Sequence, residues 1–529
     1  MALALVIADQ PARIGLHRFS PTLWYFLASA GLFGVWVGFY IWSPFGFDQP
    51  GRDSWHHAAV LRELMVEPFA PSNPHLPTDE PSRYFTPIAL LAALFGKLFG
   101  LSPYALFGLM GAASCLGLVA GCWLFARRYY GSPWAPLILL LTLLFAWGAQ
   151  MGHAGFHNYA TLLSSAAYPS TIALVLGLFS WALALRVLDS DQGRAGQLIL
   201  LGALSATTLL VHQLSGVIVL AGTASLVMFH DRASMRAKAA PFIALTLGGL
   251  STLAWPYFSI LEVISSASDP RWTSAVGEMN RPSTLLLLAA PTFVGVIGFR
   301  KPDGGLRWEI LVPAALFSAA YLVLTVQGSA IAHRIPPAII LFNQLGIVWL
   351  VLGLTGKADD APRLKAVLAA TTLILIAFTA LIAGTTRLQD LERRASDGSM
   401  VAMAEAIADS MPPGAISFAT EGIVFPLQST GRRVVSIPRP EPAAHSLALR
   451  QLATDRLFQI DTGSEERLRL IDRWKATHVV WVPSNVRPEV AAELKTLGPL
   501  STFSHGAHVV TIEQKGAVAQ LAKGTKDDR

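Results

Sequence analysis

The stretch SPFGFDQPGRDSWHHAAVLRELMVEPFAPSNPHLPTDEPSRYFTPIALLAALFGKLFGLS, residues 43–102, decides how the chain is read. It separates two apolar runs, 21–42 and 103–126, each long enough to cross a bilayer. A few residues would suffice to join two such helices. This link instead carries Asp48, Asp53, His56, His57, Asp79, Glu80, Arg83 and Tyr84. Titratable groups held in a long loop beside a hydrocarbon phase point to function rather than to connection. Within it, residues 54–65 read as a helix on the membrane surface, with Asp53 as its N-cap. Residues 87–99 are apolar but too short to span, and Gly100, Ser102 and Pro103 follow them. They read as an interfacial or partly embedded helix.

Composition agrees with a membrane chain. The 529 residues are 53% hydrophobic and 14% charged, against roughly 25% charged residues in soluble domains. Mean hydropathy is +0.48. The apolar runs must be helical, because backbone amides find no partner in lipid. The formal charge of +6 reflects basic residues at helix ends and carries no nucleic-acid signal. Cys115 and Cys122 fall on one helix face about 10 Å apart, too far for a disulfide, and read as packing residues.

Eleven spans are expected, at 21–42, 103–126, 133–149, 169–187, 195–211, 214–230, 241–262, 284–299, 309–326, 336–354 and 366–384. Basic residues concentrate on one side, among them Arg127, Arg128, Arg186, Arg194, Arg232, Arg236, Lys238 and Arg307. By the positive-inside rule that side and the N-terminus are cytoplasmic, and residues 43–102 lie outside. Residues 198–230 would make a single helix of about 50 Å, longer than a bilayer core of about 30 Å. Both ends of that run are basic, so it must be a hairpin. The turn falls at His212-Gln213-Leu214-Ser215-Gly216 and puts a histidine on the outer face.

After residue 384 charges recur throughout and the pattern becomes that of a soluble α/β domain, 385–529, following a membrane domain, 1–384. Strands are expected at 415–418, 434–437, 477–482 and 507–513. Helices are expected at 399–411, 443–456, 464–475 and 487–496, giving a small, largely parallel sheet. An odd number of spans puts this domain outside, on the extracytoplasmic face.

Several polar residues could carry chemistry. Asp53 is either a plain helix cap or also a carboxylate able to take a proton from an incoming hydroxyl, and the two roles are compatible. Asp48 is its rival, although it follows an aromatic belt and could simply end the first span. His56 and His57 are adjacent, so on a helix they point about 100° apart and make a weak metal motif. Arg83 either pairs with Asp79 or Glu80 or holds a phosphate in a charge-assisted fork, with Tyr84 beside it. The second outer loop, 150–168, offers His153 and His157 at i, i+4, suited to sugar hydrogen bonds or, if helical, to a divalent ion. Just before the tenth span come His333 and Arg334. Arg334 either snorkels to headgroups or neutralises a lipid-linked phosphate.

With these residues in place, the chain resembles the GT-C superfamily of polyprenyl-phosphate-dependent glycosyltransferases. That group includes the aminoarabinose transferase of lipid A, protein mannosyltransferases and oligosaccharyltransferase catalytic subunits. The likeness rests on Asp53 opening a surface helix through Arg62-Glu63-Leu64, then Arg83-Tyr84-Phe85-Thr86-Pro87 and a second short helix. Leu101-Ser102-Pro103-Tyr104 then leads into a span closing on Arg127-Arg128-Tyr129-Tyr130-Gly131. The odd span count and the outer α/β domain match as well. The resemblance implies inverting transfer of a sugar from a polyprenyl-phosphate donor to a glycan, lipid or protein acceptor at the outer face. It makes Asp53 the family's first-loop acid and Arg83 and Arg334 candidates for the phosphate. Asp48, His56, His57, Tyr84, His153, His157, His212 and His333 complete the expected substrate-binding set. Many relatives place a second acid in the second outer loop, often with a metal. This loop has none, so an enzyme without a metal or other cofactor is expected.

Two other classes compete. An O-antigen ligase or polymerase also uses lipid diphosphate donors, but there the long loop comes late. A transporter or flippase would show charges within spans and paired repeats. Neither is evident here.

Overall fold

Caps and breakers set where the helices begin and end. The computed structural model describes residues 20–41, 54–146, 159, 162, 165–189, 194–265, 305–356, 402–438, 441, 444, 446–503 and 506–512. Within these, the membrane part contains α1 (Pro21–Ile41), α2 (Ser54–Val66), α3 (Pro87–Phe99), α4 (Pro103–Tyr130), α5 (Ala135–Phe145) and α6 (Pro169–Asp189). It continues with α7 (Arg194–Val211), α8 (Gln213–Met228), α9 (Met235–Ser251), α10 (Ile260–Ser265), α11 (Trp308–Val326) and α12 (Pro336–Gly356). α3 and α4 share one punctuation. Thr86 and Ser102 accept the backbone N–H of Ala89 and Ala105, and a proline occupies the first helical position of each. Each ends on a glycine with positive φ, Gly100 at 63° and Gly131 at 66°, a geometry that favours glycine.

Among the described residues, six helices are long and apolar enough to cross a membrane: Pro103–Tyr130, Pro169–Asp189, Arg194–Val211, Met235–Ala254, Trp308–Val326 and Pro336–Gly353. The protein is therefore a multi-pass membrane protein. The spans expected at 133–149 and 214–230 are shorter apolar helices, and 284–299 and 366–384 lie outside the described residues. The described residues do not bring the count to eleven. The span expected at 241–262 begins earlier, because Ser234 caps it by accepting the Ala237 N–H. It gives way to a short 3-10 turn, Thr252–Ala254, ahead of Pro256.

Residues 198–230 do fold back. Leu201 on α7 and Val227 on α8 share one buried cluster with Ala184, Leu188 and Leu245. On a continuous helix those two would stand about 39 Å apart. The backbones of α7 and α9 meet at Gly202 and Gly248, where a Cβ added at Gly248 would strike the Gly202 main chain. Small residues let membrane helices approach this closely.

The two ends of the bundle differ. At one, Tyr129 donates to Glu309 at 3.0 Å, the Arg307 guanidinium carbon stands 3.3 Å from the Trp349 ring centroid, and His230 lies 3.4 Å from Asp189. The other end carries α2, α3, the α7–α8 tip and a small C-terminal sheet unit.

That unit holds strands β1 (Ile416–Ala419), β2 (Arg433–Val434), β3 (His478–Trp481), β4 (Leu500–Thr502) and β5 (His508–Thr511). Its helices include α13 (Glu421–Ser429), α14 (Leu447–Phe458), α15 (Ser464–Arg473) and α16 (Pro488–Leu494). The strand order is β2-β1-β3-β5-β4. β1 runs parallel to β2 and β3, whereas β5 runs antiparallel to β3 and β4. The sheet is thus mixed rather than largely parallel, because β4 and β5 are joined by a short link that only an antiparallel pair permits. Alternation along β3 sends Val480 into one buried layer and Val479 and Trp481 into the other. β4 was not anticipated because it is an exposed edge, nor α13 because Pro426 lies inside it.

Gly248→Val should lower the thermal midpoint of the detergent-solubilised protein, by an overpacking cost of about 1–3 kcal/mol. Gly249→Val, where an added Cβ meets nothing within 4 Å, should leave the midpoint unchanged. Equal melting of the two variants would refute the close α7–α9 contact.

Candidate active site

Among the described residues α2 runs from Ser54 to Val66. Asp53 and Asp48 themselves lie outside the described residues, as do His153 and His157. The helix delivers three aromatic residues to three surroundings. Trp55 packs edge-on against Tyr104 at 6.0 Å and shares a cluster with Phe425 of α13. His56 is 1% exposed and stacks on His75, with centroids 3.7 Å apart and planes 12° from parallel. His57 faces the other way, stacked on Phe107 at 5.4 Å and tilted against Tyr168 at 5.6 Å.

Tyr84 is the hub of the arrangement. Its ring meets the edges of His56 at 4.4 Å, His57 at 5.6 Å and His75 at 6.2 Å. Arg83 Nη2 donates to the Tyr84 phenol oxygen at 2.8 Å, and the guanidinium carbon stands 4.9 Å from the ring centroid. His57 and Tyr84 together wall a pocket of about 380 Å³, counting its open mouth, with Thr86, Phe107, Pro169 and Val211 around it. The pocket thus lies where α2, α3, α4, the start of α6 and the end of α7 converge.

His212 follows Val211 directly and caps α8. Its Nδ1 accepts the Ser215 N–H at 3.2 Å and bonds the Ser215 hydroxyl at 2.8 Å. With Nδ1 accepting, a neutral ring carries its proton on Nε2. The hairpin turn therefore sits beside the first loop. Arg334 is half-buried on the 3-10 turn Ala330–Arg334. That turn packs on α11 and α12, and the His333 side chain lies outside the described residues. Among the described residues, no group of three or more His, Cys, Asp or Glu could hold a metal.

The loop is pinned from both sides. From the bundle, Trp255 Nε1 donates to the Phe85 carbonyl at 2.9 Å and the Tyr257 hydroxyl donates to Pro68 O at 2.7 Å. From the sheet unit, Arg433 pairs with Glu63 at 2.8 Å, and Gln428 Nε2 donates to His75 O at 3.1 Å. In the reverse direction Arg62 Nε donates to Ser429 O at 2.9 Å. Leu76 is fully buried in the core that also contains Ile423, Leu427 and Val480. Glu80 does not bridge to Arg83 among these contacts. Its carboxylate accepts the Ser446 N–H at 3.0 Å and hydroxyl at 2.7 Å, capping α14 from the loop, where the helix dipole favours a negative charge. Arg83 N donates instead to Glu441 Oε1 at 3.3 Å. Burial opposes the Arg83 charge, yet Tyr84 and Glu441 outweigh it and raise its pKa above the ordinary arginine value.

No protein-family model matches this chain, and no curated protein matches it. Solved structures do. The oligosaccharyltransferase of Archaeoglobus fulgidus, in complex with zinc and sulfate, superposes with a TM-score of 0.51 over 91% of this chain and 72% of that one, at 12% identity. The chain has the GT-C fold. ArnT from Cupriavidus metallidurans covers 92% of this chain and 98% of its own, at 13% identity and a TM-score of 0.44. The same protein bound to undecaprenyl phosphate gives 0.43 at 13% identity, over 92% of this chain and 97% of its own.

In this chain, Tyr84, His57 and His212 were legible as polar groups beside a membrane. His75, Phe107, Tyr168 and Glu441 were not, because nothing local marks them and only the tertiary fold brings them to the site. Arg433→Ala removes a half-buried partner of Glu63. It should cost about 1–2 kcal/mol, between the values for exposed and buried pairs, and raise amide exchange in residues 54–66. Unchanged exchange there would show that the sheet unit does not hold α2.

Proposed function

We propose that this chain is an inverting glycosyltransferase that moves a sugar from a polyprenyl-phosphate donor to an acceptor at the outer face of a bacterial inner membrane. The observation that carries this reading is the pocket walled by His57 and Tyr84, at the end of the bundle that carries the first loop. Asp53 precedes His57 by four positions in the sequence. A sugar hydroxyl is a poor nucleophile, and a positioned base that takes its proton speeds attack. Asp53 has that role, with Asp48 as its rival among the first-loop acids. The leaving group is a phosphate on a lipid tail, so cations stabilise the departing charge. Arg83 and Arg334 supply positive charge, and Tyr84, His57 and His212 offer hydrogen bonds. Base and leaving group on opposite faces of the anomeric carbon give inversion. The remaining outer-loop histidines, His153, His157 and His333, support substrate binding around this centre, and His56, stacked on His75, backs the Tyr84 wall of the pocket.

The second outer loop has no Asp or Glu between Gln150 and Tyr168. The transfer therefore proceeds without a divalent ion, His153 and His157 acting on sugar hydroxyls. Acceptor binding is shared with the sheet unit, which lies against the loop.

Asp53→Asn should cut sugar transfer at least about 100-fold, the lower end of what general-base catalysis contributes, with membrane expression and thermal midpoint intact. Full activity in that variant would reject the base assignment. EDTA should leave the wild-type rate unchanged, and strict dependence on added divalent ion would overturn the metal-free mechanism.

A further inference from the structure

Glu441 belongs to the sheet unit, yet its carboxylate reaches the first loop. Its Oε1 accepts the Arg83 N–H at 3.3 Å, and the residue is 3% exposed. That contact fixes the Arg83 backbone, and the Arg83 side chain donates Nη2 to the Tyr84 phenol oxygen at 2.8 Å. An N–H received from a cation occupies a lone pair of the phenol and draws electron density from it. The Tyr84 hydroxyl proton is thereby directed to another acceptor. Tyr84 walls the pocket beside His57. The chain Glu441, Arg83, Tyr84 therefore runs from the sheet unit to the pocket. A partly enclosed guanidinium is stabilised by a counter-charge close by, and the favourable effects of Tyr84 and Glu441 on Arg83 outweigh its desolvation.

We propose that Glu441 is a positioning residue for this pocket, holding Arg83 so that Arg83 orients and polarises the Tyr84 hydroxyl toward the departing phosphate of the donor. This rests on the transferase reading above. It gives the sheet unit a direct part in the reaction, since the wall of the pocket is set by a carboxylate that the membrane part does not contain. The carboxylate neither touches substrate nor moves a proton. It fixes a charge, and its effect therefore appears in turnover rather than in donor affinity.

The test is a double-mutant cycle on the purified full chain, with Glu441→Gln, Tyr84→Phe and the pair. The glutamine keeps an oxygen to accept the Arg83 N–H but removes the charge. Glu441→Gln is expected to lower kcat about tenfold, the size of a hydrogen bond to a charged group, with donor KM changed by less than about twofold. Placed on Tyr84→Phe it should lower kcat no further, because the group it acts through is gone. Wild-type kcat in Glu441→Gln, or a fully additive loss in the pair, would overturn the proposal. If Glu441→Gln alone fails to fold, Arg83→Gln with Glu441→Gln removes both buried charges together and is expected to fold. That pair should turn over as slowly as Tyr84→Phe, and wild-type turnover would overturn the proposal. If the wild type transfers no sugar, the transferase reading fails on its own. The coupling is then read from the thermal shift given by undecaprenyl phosphate. Glu441→Gln and Tyr84→Phe should each reduce that shift, with no further reduction in the pair. Independent reductions, or none, would overturn the coupling.

Discussion

Everything at the candidate site depends on how the first loop is held. Residues 54–86 form a layer between the helical bundle and the C-terminal sheet unit. Trp255 and Tyr257 grip it from below through the carbonyls of Phe85 and Pro68. Arg433, Gln428 and Ser446 grip it from above through Glu63, His75 and Glu80. A loop left to itself would cost backbone entropy to order. Here Leu76, inserted into the sheet unit's core, and the capped helices on both sides offset that cost. Preorganised groups are what a site needs when charge develops in a transition state.

The layer explains why neighbouring residues have different roles. His56 and His57 differ by one position, and the helix turns them to different partners. His56 is enclosed against His75 and the sheet unit, while His57 lines the pocket with Phe107 and Tyr168. Likewise Glu80 and Arg83 are three residues apart and both charged. Glu80 caps α14 in the sheet unit, whereas Arg83 is directed to Tyr84 at the pocket wall. The loop is thus two-sided, one side meeting the sheet unit and the other lining the pocket.

Much of this was legible because local physics dictates it. Thr86-Pro87 and Ser102-Pro103 start helices, Gly100 and Gly131 end them, and the length of 198–230 forces a hairpin whose turn at His212 the fold confirms. The surface helix over 54–65 could also be read from the chain. What could not be read depends on partners distant in sequence. The docking of Leu76 into the sheet unit, the capping of α14 by Glu80 and the contact of Glu441 with Arg83 each join residues more than 300 positions apart. No periodicity or spacing encodes such pairs. The β4–β5 pairing escaped notice for a different reason, since an exposed edge strand carries little apolar alternation to detect. Asp53, Asp48, His153 and His157 fall outside the described residues, so their roles rest on the pocket and on chemistry.

We propose that the lipid phosphate is handled at the loop end of the bundle. Locating the phosphate of bound undecaprenyl phosphate in a cryo-EM map of the full chain tests this. Phosphate density is expected at the pocket walled by His57 and Tyr84, beside α2. Density at the opposite rim, beside Arg307 and Trp349, would contradict it.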